Sequence, residues 1–79
     1  MAPTVFSYQK YRFFFNSREE KRKHVHVETT DGTAKFWLEP IVSLATYTNV
    51  STKELSLFKE IIEEKQNDII NAWNRHFNQ

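Results

Sequence analysis

A boundary near residue 51 divides this sequence into two parts with different patterns, and it limits the fold more than any other feature. Ser51-Thr52-Lys53-Glu54 is a capping box, in which the first side chain accepts from the Glu54 amide and Glu54 reaches back. Val50 and Leu55 occupy the two positions of a hydrophobic staple. Apolar residues then recur at helical spacing, namely Leu55, Phe58, Ile62, Ile69, Ala72, Trp73 and Phe77. The pattern predicts a helix at about 52–77.

The length of this helix is a geometric problem. An unbroken helix over 52–77 would be roughly 40 Å long at about 1.5 Å per residue, whereas strands of about six residues span only about 20 Å. Lys65 is the one gap in the apolar stripe. We therefore expect the helix either to bend near 65–68 or to overhang the sheet, in which case a partner would cover its end. The overhanging residues would be Ile69, Ile70, Trp73 and Phe77.

The residues before the boundary have the character of β-strands. Strands are predicted at 4–8, 11–16, 24–29 and 33–39, with a polar loop at 17–23 and with Pro40 ending the last strand. The prediction is an α+β fold in a single domain of residues 1–79. A small antiparallel sheet of four or so strands occupies about 4–49, and the C-terminal helix follows it.

Asp31-Gly32 predicts a two-residue type I′ hairpin turn, because both central positions of that turn need positive φ. Such a turn fixes the strand register. The predicted pairs are Glu28 with Lys35, Val27 with Phe36, His26 with Trp37, Val25 with Leu38, and His24 with Glu39. One face of this hairpin is expected to be core, and its residues are Val25, Val27, Phe36 and Leu38. The other face is polar and carries a large aromatic.

Composition narrows the classes of function. The 79 residues include seven Phe, three Tyr and two Trp, enough to build a small core, and no Cys for a disulfide or a thiolate metal site. Net charge is only +1, and Lys21-Arg22-Lys23 is the one dense basic run, whereas nucleic-acid footprints are usually broader. With no signal peptide pattern and no apolar run of transmembrane length, we expect a cytoplasmic protein without a membrane partner. No cofactor is predicted.

His24-Val25-His26 is the sharpest candidate for chemistry, because residues two apart on a strand point to the same side. As general acid and base, His24 and His26 would form a metal-independent ribonuclease. Phosphate contacts would come from Lys23, Arg22 or Lys35, and a base would stack on Trp37 or Phe14.

Two other interpretations of the histidine pair remain open. A metal pair would need a further ligand from Glu28, Glu39 or His76, and no metal is predicted. The two histidines could also be structural or part of a protein interface. Neither interpretation requires catalysis or metal binding, because ordinary cross-strand pairs explain why polar residues lie on this face.

Motifs along nearly the whole chain resemble one family. They are Pro3-Thr4-Val5-Phe6, Tyr11-Arg12-Phe13-Phe14-Phe15, Ser17 with Glu19, His24-Val25-His26-Val27, Ala34-Lys35-Phe36-Trp37-Leu38-Glu39-Pro40, the helix start at 51–55, and Trp73 with Phe77. Together they resemble the prokaryotic domain of unknown function numbered 4160. That family commonly has two prolines before the histidine pair, where this chain has Arg22-Lys23 and hence a more flexible and more basic loop.

The resemblance implies a function in a pair of proteins. Members of the family are often encoded beside a second small protein, and the pairs are proposed as toxin–antitoxin modules with this component as the toxin. We therefore predict an interaction module that binds a small antitoxin-like protein. The contact residues would be Trp73 and Phe77 at the helix end, or His24, His26 and Trp37 with Arg22, Lys23 and Lys35. The alternatives are the ribonuclease, with RNA as its substrate, and a self-associating protein such as a homodimer. Whether the chain is an enzyme stays open.

Overall fold

The chain forms a five-stranded antiparallel sheet followed by two helices, in a computed structural model that describes residues 4–16 and 21–77. The elements are β1 Thr4–Tyr8, β2 Tyr11–Phe14, β3 His24–Glu28, β4 Thr33–Trp37, β5 Ser43–Thr48, α1 Thr52–Glu64 and α2 Gln66–Phe77. The strands form a meander in the order β1-β2-β3-β4-β5. The predicted α+β fold is confirmed. Residues 17–20 of the predicted loop, and with them Ser17 and Glu19, lie outside the described residues, as does Pro3.

The predicted register of the hairpin between β3 and β4 is wrong by two residues. The observed pairs are His24 with Trp37, Val25 with Phe36, His26 with Lys35, Val27 with Ala34, and Glu28 with Thr33. The loop between β3 and β4 has four residues, Thr29 to Gly32. The Thr29 backbone amide closes this loop by donating to the Gly32 carbonyl at 2.9 Å. The Thr29 hydroxyl also accepts from the Gly32 amide at 2.8 Å, and Gly32 does not adopt positive φ.

A register shift of two residues preserves the faces of a strand, because side chains alternate with a period of two. The four predicted core residues of the hairpin are therefore fully buried: Val25, Val27, Phe36 and Leu38. The helices pack on this face. Phe58 of α1 meets Tyr11 and Phe13 edge-on, with ring centroids 4.7 and 5.9 Å apart.

The N-terminus of α1 has the predicted capping box. The Ser51 hydroxyl accepts from the Glu54 amide at 3.1 Å, and the Glu54 carboxylate accepts from the Ser51 amide at 3.1 Å. Tyr11 in β2 donates its hydroxyl to the same carboxylate at 3.0 Å, which ties the start of the helix to the sheet. This bond raises the pKa of Tyr11, and the pKa of Glu54 is lowered by the Ser51 amide and then by Tyr11.

The helical segment is broken at Lys65, within the predicted range 65–68. The side chain of Gln66 donates from Nε2 to the Leu38 carbonyl at 2.8 Å and so fixes the start of α2 to the end of β4. Because α2 folds back onto the sheet, Ile69 and Trp73 are only 1% exposed. The alternative of an overhanging helix end is therefore wrong, and Trp73 belongs to the core. No helix among the described residues is long and apolar enough to cross a membrane.

Candidate functional site

The sheet face opposite the helices carries the polar residues of the central strands, and we call it the open face. Its residues are Arg12, Phe14, His26, Glu28, Lys35 and Trp37. All of them are half-buried except Glu28, which is exposed. These side chains contact one another through ring stacking, cation–π contacts and an ion pair.

Trp37, at the end of β4, has two cations against its ring. The Arg22 guanidinium is 4.3 Å from the ring centroid, and the Lys35 ammonium is 4.6 Å from it. Arg22 also donates from Nε to the Glu39 carbonyl at 3.0 Å, which fixes the guanidinium in place. Since these cations lie over the indole, they compete with any nucleic-acid base for stacking on Trp37.

A second cluster lies around Phe14. The Arg12 guanidinium is 4.5 Å from the Phe14 centroid and forms an ion pair with Glu28 at 3.1 Å. The His26 ring stacks on Phe14, with centroids 5.3 Å apart and planes 23° apart. Asn16 donates to His26 Nε2 at 3.3 Å. His26 is thus held in one orientation and remains partly accessible.

The two histidines lie side by side, as the strand period predicted, with ring centroids 5.2 Å apart. His24, however, is fully buried. Its Nδ1 donates to the Arg22 carbonyl at 2.7 Å, and its ring lies 5.0 Å from Trp73 of α2 and 5.7 Å from Trp37. A substrate that approaches the open face therefore meets His26 but not His24.

The structure brings six of the predicted site residues together at the open face, whereas Trp73 and Phe77 lie on the helix side, where Trp73 contacts the buried His24. Those together are Arg22, Lys23, His24, His26, Lys35 and Trp37, where Lys23 forms an ion pair with Glu39 at 3.7 Å. Phe77 packs on Trp73 on the helix side, with centroids 4.2 Å apart. No group of three or more His, Asp or Glu within 4–16 and 21–77 is arranged to hold a metal ion.

Sequence reasoning missed Arg12 and Asn16. Alternation along β2 could have found them, because Tyr11, Phe13 and Phe15 are buried and the intervening residues must point to the other face. The strand pairing then sets them beside β3, with Arg12 opposite Glu28.

The fold and the site define a small α+β protein with one helix-covered sheet face and one face of aromatic and charged side chains. The family model of the domain of unknown function DUF4160 matches residues 10–74, and the chain belongs to this family. Neither the curated proteins nor the solved structures contain a match to this chain.

Proposed function

We propose that this chain is an interaction module that binds a small cognate protein through its open face, as the toxin-like component of a two-component pair. The proposed setting is the cytoplasm of a prokaryotic cell. The observation that carries the proposal is the arrangement at Trp37, where Arg22 and Lys35 are held against a half-buried indole on a sheet face.

This arrangement has the properties of a binding hot spot. Trp and Arg are enriched among residues that dominate interface energetics, and such residues cluster around a central aromatic anchor. Arg22 is already held by the indole and by the Glu39 carbonyl. Because less side-chain freedom remains to be lost on binding, such an ordered guanidinium favours affinity.

The charge around Trp37 favours an acidic partner. Arg22 and Lys35 lie against the indole, and Lys23, beside them, pairs with Glu39, so three cations gather at this end of the open face. Opposite charges across an interface speed association and select the right partner. We therefore infer a small protein that presents Asp or Glu side chains to the cations that Trp37 holds in place, Arg22 and Lys35.

The histidine pair supports binding better than catalysis. A general acid or base must come within hydrogen-bond reach of the proton that it transfers. His24 is enclosed, with Nδ1 on the Arg22 carbonyl, so one accessible histidine is present where the ribonuclease hypothesis uses two. In a protein interface, the same two rings serve as packing groups, His24 against Trp37 and His26 against Phe14.

The growth-inhibiting part of the proposal rests on the resemblance to toxin–antitoxin components, and expression in cells tests it. We expect induced expression of the chain to arrest growth, and coexpression of the small protein encoded beside it to restore growth. Normal growth under full induction of the folded chain would contradict the toxin-like role.

The binding part is tested by copurification of the same two proteins. Trp37→Ala should abolish copurification while circular dichroism shows an unchanged fold. Lys59→Ala is the matched control, because Lys59 is exposed on α1, on the helix-covered side. If the Trp37 variant copurified as well as the control, the open face would not be the contact surface.

A further inference from the structure

The outer edge of β5 is the second surface with properties of an interface. In the described part of the chain, β5 pairs only with β4, so its other edge meets no strand. Natural edge strands are commonly protected by charged residues or proline within the strand. Residues 41–48 contain neither, since their sequence is Ile-Val-Ser-Leu-Ala-Thr-Tyr-Thr. A bulge that adds Ala45 interrupts the ladder to β4 but brings no charge to the edge.

Apolar side chains extend beyond the cover of the helices at this edge. Tyr47 pairs with Ala34, and Leu44 pairs with Phe36, so both lie on the helix-covered face. Ala34 and Phe36 are buried, whereas Leu44 is 40% exposed and Tyr47 is 53% exposed. Ile41, in the preceding loop, is 69% exposed. The apolar layer of the core thus continues onto β5 and ends there uncovered.

The opposite edge of the sheet is different. Phe6 of β1 stacks on Phe13 with centroids 4.3 Å apart, and the Lys65 ammonium lies 5.5 Å from the Phe6 ring. Side chains of α2, including Asp68 and Arg75, line the groove beside β1. Charged groups therefore border the β1 edge, and a strand added there would have to accommodate them. Within β5 and the residues just before it, 41–48, no side chain is charged.

We propose that β5 pairs antiparallel with β5 of a second copy of this chain, to form a dimer with a continuous ten-stranded sheet. In an antiparallel pair of identical strands, the residues near the twofold axis face their own copies, so a charge there would face a like charge; β5 carries no charge and avoids this cost. A twofold axis perpendicular to the sheet joins like faces, so Leu44 and Tyr47 of both copies share one apolar layer. The same axis directs both open faces to one side. The occupant of the edge is thus a second copy.

The mass of the full chain in solution tests this proposal. Light scattering after size-exclusion chromatography is expected to give twice the 9.5 kDa of one chain at high concentration, falling on dilution. Leu44→Lys should raise the dimer dissociation constant about tenfold or more, which corresponds to about 1.4 kcal/mol. Tyr47→Lys should do the same, and it guards against a folding defect at Leu44 because Tyr47 is more exposed.

Tyr8→Lys is the matched control. Tyr8 lies on β1, the other edge strand, and is 39% exposed, so the substitution removes a similar apolar surface and adds the same charge. This variant should dimerise like the unmodified chain. A monomeric unmodified chain at high concentration would overturn the proposal. Dimers that persist in both β5 variants would also overturn it, as would a Tyr8 variant that dissociates as readily as the β5 variants. These mass measurements use this chain alone, without the cognate partner. Their outcome is therefore independent of the outcome of the open-face test.

Discussion

Trp73→Ala is expected to destabilise this protein severely, because Trp73 joins α2 to the sheet. Its side chain is 1% exposed. The Phe15 ring meets it edge-on at 5.3 Å between centroids, His24 lies at 5.0 Å, and Phe77 lies at 4.2 Å. Truncation leaves a cavity among these rings that the sheet end can fill only in part.

The expected loss in the free energy of unfolding follows from the complete burial of the Trp73 side chain. Replacement of a buried Trp by Ala typically costs about 3–5 kcal/mol. At about 0.05–0.15 kcal/mol per residue, a chain of this length has a free energy of unfolding of roughly 4–12 kcal/mol. The variant should therefore lose about a quarter or more of its stability, and at the low end of this range it should be largely unfolded at 25 °C.

Urea unfolding followed by circular dichroism measures this loss, with Trp73→Phe as the comparison that keeps one aromatic ring. We expect the Phe variant to lose clearly less than the Ala variant. A loss below about 1 kcal/mol in the Ala variant, typical of an average substitution, would refute the burial of Trp73 and with it the fold-back of α2.

Two further predictions concern the loop and the helix start. Gly32→Ala should cost about 1–3 kcal/mol, because a Cβ there would collide with the Thr48 carbonyl oxygen, and urea unfolding with no measurable loss would contradict that contact. The lowered pKa of Glu54 means that its carboxylate stabilises the fold above its ordinary pKa of 4.5, and that this contribution disappears as pH falls through the lower folded value. The stability difference between the unmodified chain and Glu54→Gln should accordingly shrink on acidification, and a difference that is constant with pH would contradict it.

The sequence predicted local structure well where a side chain acts on its own neighbourhood. The capping box from Ser51 to Glu54 is present with both bonds, and the break at Lys65 follows from helix length and from the gap in the apolar stripe. The hairpin register failed because the Thr29 hydroxyl organises a four-residue loop, which competes with the turn that Asp31-Gly32 favours.

The remaining differences come from contacts between distant segments. Strand β5 has no clean alternation because the bulge at Ala45 sets Leu44 and Tyr47, three positions apart, on one face. The alternation of side chains along β3 predicted His24 on the polar face. Its burial, however, depends on contact with Trp73, which is far away in sequence and reaches His24 only because α2 folds back onto the sheet. The stacking of Arg22 on Trp37 joins a loop to the end of β4 and has no periodic pattern in sequence.

Binding of the cognate protein to the open face is tested most directly by isothermal titration with the small protein encoded beside this chain. We expect Trp37→Ala to weaken binding about tenfold or more, the loss typical of a hot-spot residue. Lys59→Ala on α1 should leave the affinity unchanged. Raising the salt concentration should weaken the unmodified complex, because charges around Trp37 attract the partner. Equal affinities for the two variants, with both folded, would contradict the assignment of the open face as the binding surface.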